Sequence, residues 1–142
     1  MRKVMQVVLL ALALAALSCA DQSVPDICGL YTGTRTAYYG TGGEMYLDII
    51  RCTEDGISGE TEFHLGTSQS VKSFEGSWTD DGDRVSLSFR EIVLLEYSGT
   101  GDTALYSYSA DVNGNSIAGE YYSAGRTYGV FSLKLTGPVA EE

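Results

Sequence analysis

Histidine is almost missing from this chain: His64 is the only one in 142 residues. A single imidazole cannot build a multi-histidine metal site. It leaves any Ser-His-Asp arrangement dependent on His64, and no nucleophile-elbow pattern surrounds a serine. Basic residues are scarce too, with nine Lys and Arg against 19 Asp and Glu and a formal net charge of −10. Nucleic acid requires a basic face, so it is not an expected partner. No run is long enough for a comfortable transmembrane helix. No carboxylate pair sits in a recognisable acid motif for glycoside hydrolysis, whose spacing is spatial in any case. The expectation is a chain that does no catalysis and carries neither metal nor cofactor.

What is present begins with the N-terminus. Arg2 and Lys3 precede an apolar run from Val4 to Leu17, broken only by Gln6, and Ser18-Cys19-Ala20 supplies small residues after it. That is the layout of a secretory signal. Ala16-Leu17-Ser18-Cys19 resembles a bacterial lipoprotein signal, which implies lipidation of Cys19. The alternative is ordinary cleavage after Ala20. Under the lipoprotein reading Ala20 lacks the aspartate linked to inner-membrane retention, so the outer membrane is expected, with a soluble periplasmic or secreted form as the alternative. The chain then divides into a signal (1–19), a linker containing Pro25 (20–26), one domain (27–136) and an acidic tail (137–142).

With Cys19 lipidated or removed, Cys28 and Cys52 remain. An even remainder in an oxidising compartment reads as a disulfide, against the alternative of two buried thiols.

After the linker apolar and polar residues alternate with period two almost to the end, and no segment of the mature chain has a helical period. Met45, Leu47 and Ile49 share one parity, as do Val85, Leu87 and Phe89, and Phe131, Leu133 and Leu135. About eight strands result, each with one apolar face, and so many strands share one interior best by closing. An all-β, up-and-down antiparallel barrel is therefore predicted. Glycines within the strands, Gly33, Gly59, Gly76 and Gly119, fit the tight bends of a closed wall. Asp55-Gly56, Asp81-Gly82 and Asn113-Gly114 are hairpin dipeptides. They follow the second, fourth and sixth strands, so they fall at one end of a meander. Longer connections at 40–43, 66–70, 91–102 and 123–126 are expected at the other. We call these the closed and the open end. Cys28 and Cys52 fall near the closed end. Ile92 to Leu95 reads as an extra strand, a strand extension after a bulge, or a lid.

The recurring Ile57-Ser58-Gly59, Phe74-Glu75-Gly76 and Ile117-Ala118-Gly119, with Gly29-Leu30-Tyr31-Thr32-Gly33, resemble the avidin-like and lipocalin-like superfamily of small barrels. The resemblance implies eight strands and a ligand site at one mouth. Avidins hold biotin with several tryptophans, and this chain has only Trp78.

Tyrosines gather toward the open end: Tyr38, Tyr39 and Tyr46 near the first loop, Tyr97 in the long connection, and Tyr121, Tyr122 and Tyr128 near the last. Tyrosine pairs an apolar ring with a hydrogen-bonding tip, which suits binding surfaces, although it is also a good strand residue. The expected ligand-binding set is Tyr38, Tyr39, Tyr46, Tyr97, Tyr122, Tyr128 and Arg126. Arg35, His64, Lys72 and Arg90 lie toward the same end and read as solvated surface charge, tempered by Glu44, Glu91, Glu96 and Asp102. Asp80, Asp81 and Asp83 around Gly82 lack the spacing of a calcium loop and read as a hairpin turn. Three functions are compared: a lipid-anchored barrel holding a small amphipathic molecule, a protein-binding envelope module with a filled barrel, and, last, an enzyme. Oligomeric state is left open.

Overall fold

The computed structural model describes residues 23–99 and 103–138. The signal, Cys19 and most of the acidic tail lie outside the described residues. Eight strands follow one another: β1 (Gly29–Ala37), β2 (Gly42–Thr53), β3 (Gly56–Leu65), β4 (Ser68–Asp80), β5 (Val85–Ser98), β6 (Ser107–Asn113), β7 (Ser116–Ser123) and β8 (Arg126–Gly137). Each pairs antiparallel with the next, and β8 pairs back on β1, so the sheet closes into an up-and-down barrel.

Parity decides which side chains fill it. Tyr31, Met45, Leu47, Ile49, Ile57, Phe74, Leu87, Phe89, Tyr108, Ile117, Tyr121, Phe131 and Leu133 all point inward and are buried. The wall bends tightly where strand glycines sit. A Cβ on Gly33, Gly59 or Gly119 would lie within 2.0 Å of a carbonyl oxygen on the neighbouring strand. Any side chain there would push the wall open.

Cys28 and Cys52 form the expected disulfide, with Cα atoms 6.0 Å apart. It ties the entry of β1 to the end of β2. Ile27 and Trp78 pack against the core beside it, and the Trp78 indole N–H donates to Thr53 O at 2.8 Å. Asp81 Oδ1 accepts the N–H groups of Asp83 and Arg84 at 3.0 and 2.8 Å. The aspartates there are turn residues, as expected.

The sorting of tight and loose connections does not hold. Among the described residues, two open-end connections are two-residue turns, Gly66-Thr67 and Ala124-Gly125. Left-handed backbone makes them possible, with φ of 61° at Gly66, 52° at Ala124 and 78° at Gly125. The connection at Asp81 is longer, because Asp80 pairs with Val85. Tight turns therefore occur at both ends, although the longest connection, between β5 and β6, is at the open end.

Residues 92–95 continue β5. Two register shifts against β4, at Val71/Lys72 and Ser73/Phe74, place extra residues on the β5 side and break the alternation. β6 pairs in register only with Val85 to Arg90, so the upper part of β5 projects past β6. It carries exposed Ile92, Val93 and Leu95.

Candidate functional site

Inside the open half, the inward parity continues into polar residues. Arg35 follows Gly33 on β1, Lys72 precedes Phe74 on β4, Glu91 follows Phe89 on β5, and Thr61 follows Gly59 on β3. All four are buried. This corrects the surface reading of Arg35, Lys72 and Glu91: the strand period turns them into the barrel. Their burial demands partners, because an unpaired buried charge is costly.

Glu91 supplies most of the pairing. Its carboxylate accepts from Thr61 Oγ1 at 2.5 Å, Tyr106 N at 2.9 Å, Tyr108 OH at 3.2 Å and Lys72 Nζ at 3.5 Å. Lys72 also donates to the Ala104 carbonyl. Among the described residues Arg35 has no carboxylate within ion-pair distance. Its Nη1 donates to Tyr108 OH at 2.7 Å, so Tyr108 relays between guanidinium and carboxylate. Aromatic faces surround the guanidinium: the Arg35 Cζ lies 3.8 Å from the Phe63 ring centre and 4.9 Å from those of Tyr106 and Tyr121, while Nε makes no hydrogen bond among the described residues. Such cation–π contacts gain strength away from water. The Tyr108 hydroxyl is held far above the usual tyrosine range, first by burial and then by the charge of Glu91, so it stays protonated.

Above this cluster the rings close the mouth. Tyr106 packs edge-on to Tyr121 with centroids 5.4 Å apart, and Tyr128 lies 5.5 and 5.7 Å from the same two rings. Below it Phe89 stacks on Tyr108 at 4.7 Å and 7°, with Phe74 and Phe131 against it. The interior is filled by these side chains.

Of the expected ligand-binding set, the structure brings Tyr39, Tyr128 and Arg126 together. They line a surface groove of about 440 Å³ between the β1–β2 loop and the β7–β8 turn, with Ala37, Gly40, Ser123, Ala124 and Thr127. Tyr38 stands beside it, its backbone N–H bonded to Tyr128 O at 3.0 Å. Tyr46 and Tyr122 instead lie on the outer wall, bonded to Glu44 at 3.0 Å and Glu120 at 3.1 Å. Those carboxylates raise the tyrosine hydroxyl pKa: the Glu44 hydrogen bond is the leading cause at Tyr46, and Glu120 acts after burial at Tyr122. Tyr97 is half-buried near the end of β5 and pairs with Ser70. His64 is on the outer wall, 3.3 Å from Glu62 and tilted against Tyr46.

Exposed apolar side chains divide sharply between the ends. Ten large hydrophobic residues are exposed among the described residues: Tyr38, Tyr39, Leu65, Ile92, Val93, Leu95, Leu105, Tyr128, Val130 and Leu135. All but Leu135 lie in the open half. Composition pointed only to the tyrosines. The aliphatic members were visible as Ile92 to Leu95, but no pattern said which way they would face.

Comparison with known protein families, with curated proteins and with solved structures finds no match. The functional reading rests on this geometry alone.

Proposed function

We propose that this protein is an exported, non-catalytic binding module that meets a partner protein of the cell envelope at its open end. The observation that carries this reading is the concentration of exposed apolar residues there, nine of the ten among the described residues. Apolar groups collected at one pole and framed by polar walls are the usual mark of a docking surface. The filled interior supports a macromolecular partner over a small molecule held inside, because eight strands leave little room once large side chains occupy the lumen. In this reading the likeness to avidin-like and lipocalin-like barrels is one of architecture. The mouth that holds a ligand in those families becomes a rim that faces a protein.

The proposed lipid on Cys19 adds an orientation. β1 starts at the closed end, so the linker leaves from there, and an outer-membrane anchor turns the aromatic rim away from the bilayer. Site-specific photo-cross-linking tests the proposal. A photoreactive residue at position 38 or 95 is expected to give a discrete protein adduct in the envelope, and one at position 83 is not. Equal labelling at all three positions would remove the open end as the docking surface.

A further inference from the structure

We infer that the groove between the β1–β2 loop and the β7–β8 turn receives an aromatic side chain of the partner protein that has a carboxylate beside it. The inference rests on the proposed docking at the open end and specifies what that surface reads.

Charge is the first ground. The chain carries 19 acidic residues, yet none lines this groove, whose single charged residue is Arg126. Arg84 and Arg90 are each engaged by a carboxylate, at 3.4 and 3.0 Å. Arg126 is exposed and has no ion-pair partner among the described residues, a state it shares with Arg51 and Lys134, which line no such groove. Glu120 on the same side is bonded to Tyr122 OH. A guanidinium presents paired N–H donors that match a carboxylate.

Shape is the second ground. Tyr39 is fully exposed, whereas Tyr128 packs at a tilt against Tyr106 and Tyr121. The groove is thus lined by one ring held by its neighbours and one that is free in solvent, and two aromatic rings in one lining suit a third ring. The seat is fixed in advance. The Tyr38 N–H is bonded to Tyr128 O and the Gly40 N–H to Ala37 O. The adjoining turn is held by Ala124, the one non-glycine residue with positive φ among the described residues. A volume of about 440 Å³ falls in the range of sites that take one compact ligand group.

The test uses N-acetyl-phenylalanine, its amide and acetate as probes, followed by NMR on the purified protein. The acid is expected to bind with a dissociation constant on the order of millimolar, with shifts centred on Tyr39, Arg126 and Tyr128, and the amide at least about fivefold more weakly. Arg126→Gln should remove the difference between acid and amide, and Arg126→Lys should restore part of it. Equal binding of acid and amide would overturn the carboxylate role. Shifts elsewhere, or none, would overturn the groove itself. A small free acid retained through purification would overturn the protein origin of the occupant. Photo-cross-linking at position 38 is read separately, so this inference can fail while docking at the open end stands.

Discussion

The two ends of this barrel solve the same problem in opposite ways. Each must close a wall of strands against water. The closed end uses covalent and local means: the Cys28–Cys52 bridge, Trp78 bonded to Thr53, and a turn whose aspartate captures backbone N–H groups. The open end uses aromatic rings stacked over two buried cations and one carboxylate. The closed end leaves almost no large apolar side chain in water, and the open end leaves nine. Tyr128 belongs both to the ring group that closes the mouth and to the exposed surface, whereas Tyr38 and Tyr39 make no ring contact among the described residues. Tyr38 and Tyr39 are surplus to that seal, which is why they are the best candidates for recognition.

The largest effect is expected beneath the open end. Glu91→Ala strips Lys72 and Tyr108 of their shared acceptor and leaves buried cations unpaired. The expected loss is about 3–5 kcal/mol, read by urea denaturation. A loss under about 1 kcal/mol would mean that the cluster is solvated and the mouth is not sealed.

The closed end should respond somewhat less. Replacing Cys28 and Cys52 by serine opens a loop with a sequence separation of 24, for an expected cost of roughly 2–4 kcal/mol. Because the rim is built without the bridge, probe binding at the groove should survive under conditions where the variant remains folded. Loss of binding by a folded variant would show that the two ends are coupled.

Smaller still is the turn beside the groove. Ala124 holds φ at 52°, where a Cβ is crowded. Ala124→Asn should raise stability by roughly 0.5–1 kcal/mol, seen as a higher denaturant midpoint at unchanged slope.

The smallest effect is electrostatic. Hydrogen bonds from the backbone N–H groups of Arg84 and Asp83 hold the Asp81 carboxyl below the usual aspartate range. A depressed folded pKa gives stability that is present above the ordinary aspartate value and is lost as pH falls through the folded value. Asp81→Asn should flatten that part of the acid-unfolding curve, while the alkaline side stays unchanged. On the alkaline side the raised pKa of Tyr108 acts in the opposite sense. The unfolded chain releases that proton first, so stability falls as pH rises past the ordinary tyrosine value.

The barrel was legible because the period of a strand is rigid. A slip of one residue would have turned Leu47, Phe74 and Leu133 into water, so the pattern allowed one register. The buried cluster was misread as surface charge although the same parity marks it: Arg35 shares parity with Tyr31, Lys72 with Phe74, and Glu91 with Phe89. Side-chain chemistry argued for the surface and parity argued for the interior, and parity prevailed because Glu91, Tyr108 and the aromatic faces supply the partners that burial requires. The upper part of β5 was legible only as one of three alternatives, the strand extension after a bulge, and its facing was not legible, since two bulges reset its parity at positions that no residue type marks. The Ala124-Gly125 turn was missed for a related reason, because alanine is not a residue that announces left-handed backbone. Tyr46 and Tyr122 were grouped with the rim by sequence distance from the loops, but the pleat turns them onto the outer wall.

Native mass spectrometry of the purified protein tests the central claim most directly, namely that the barrel is filled by its own side chains and that recognition happens on its outside. The expected spectrum shows the mass of the disulfide-bonded polypeptide with only its proposed covalent lipid on Cys19, and no small molecule released on gentle activation. A stoichiometric small-molecule adduct that survives purification and is lost only when the barrel unfolds would contradict it.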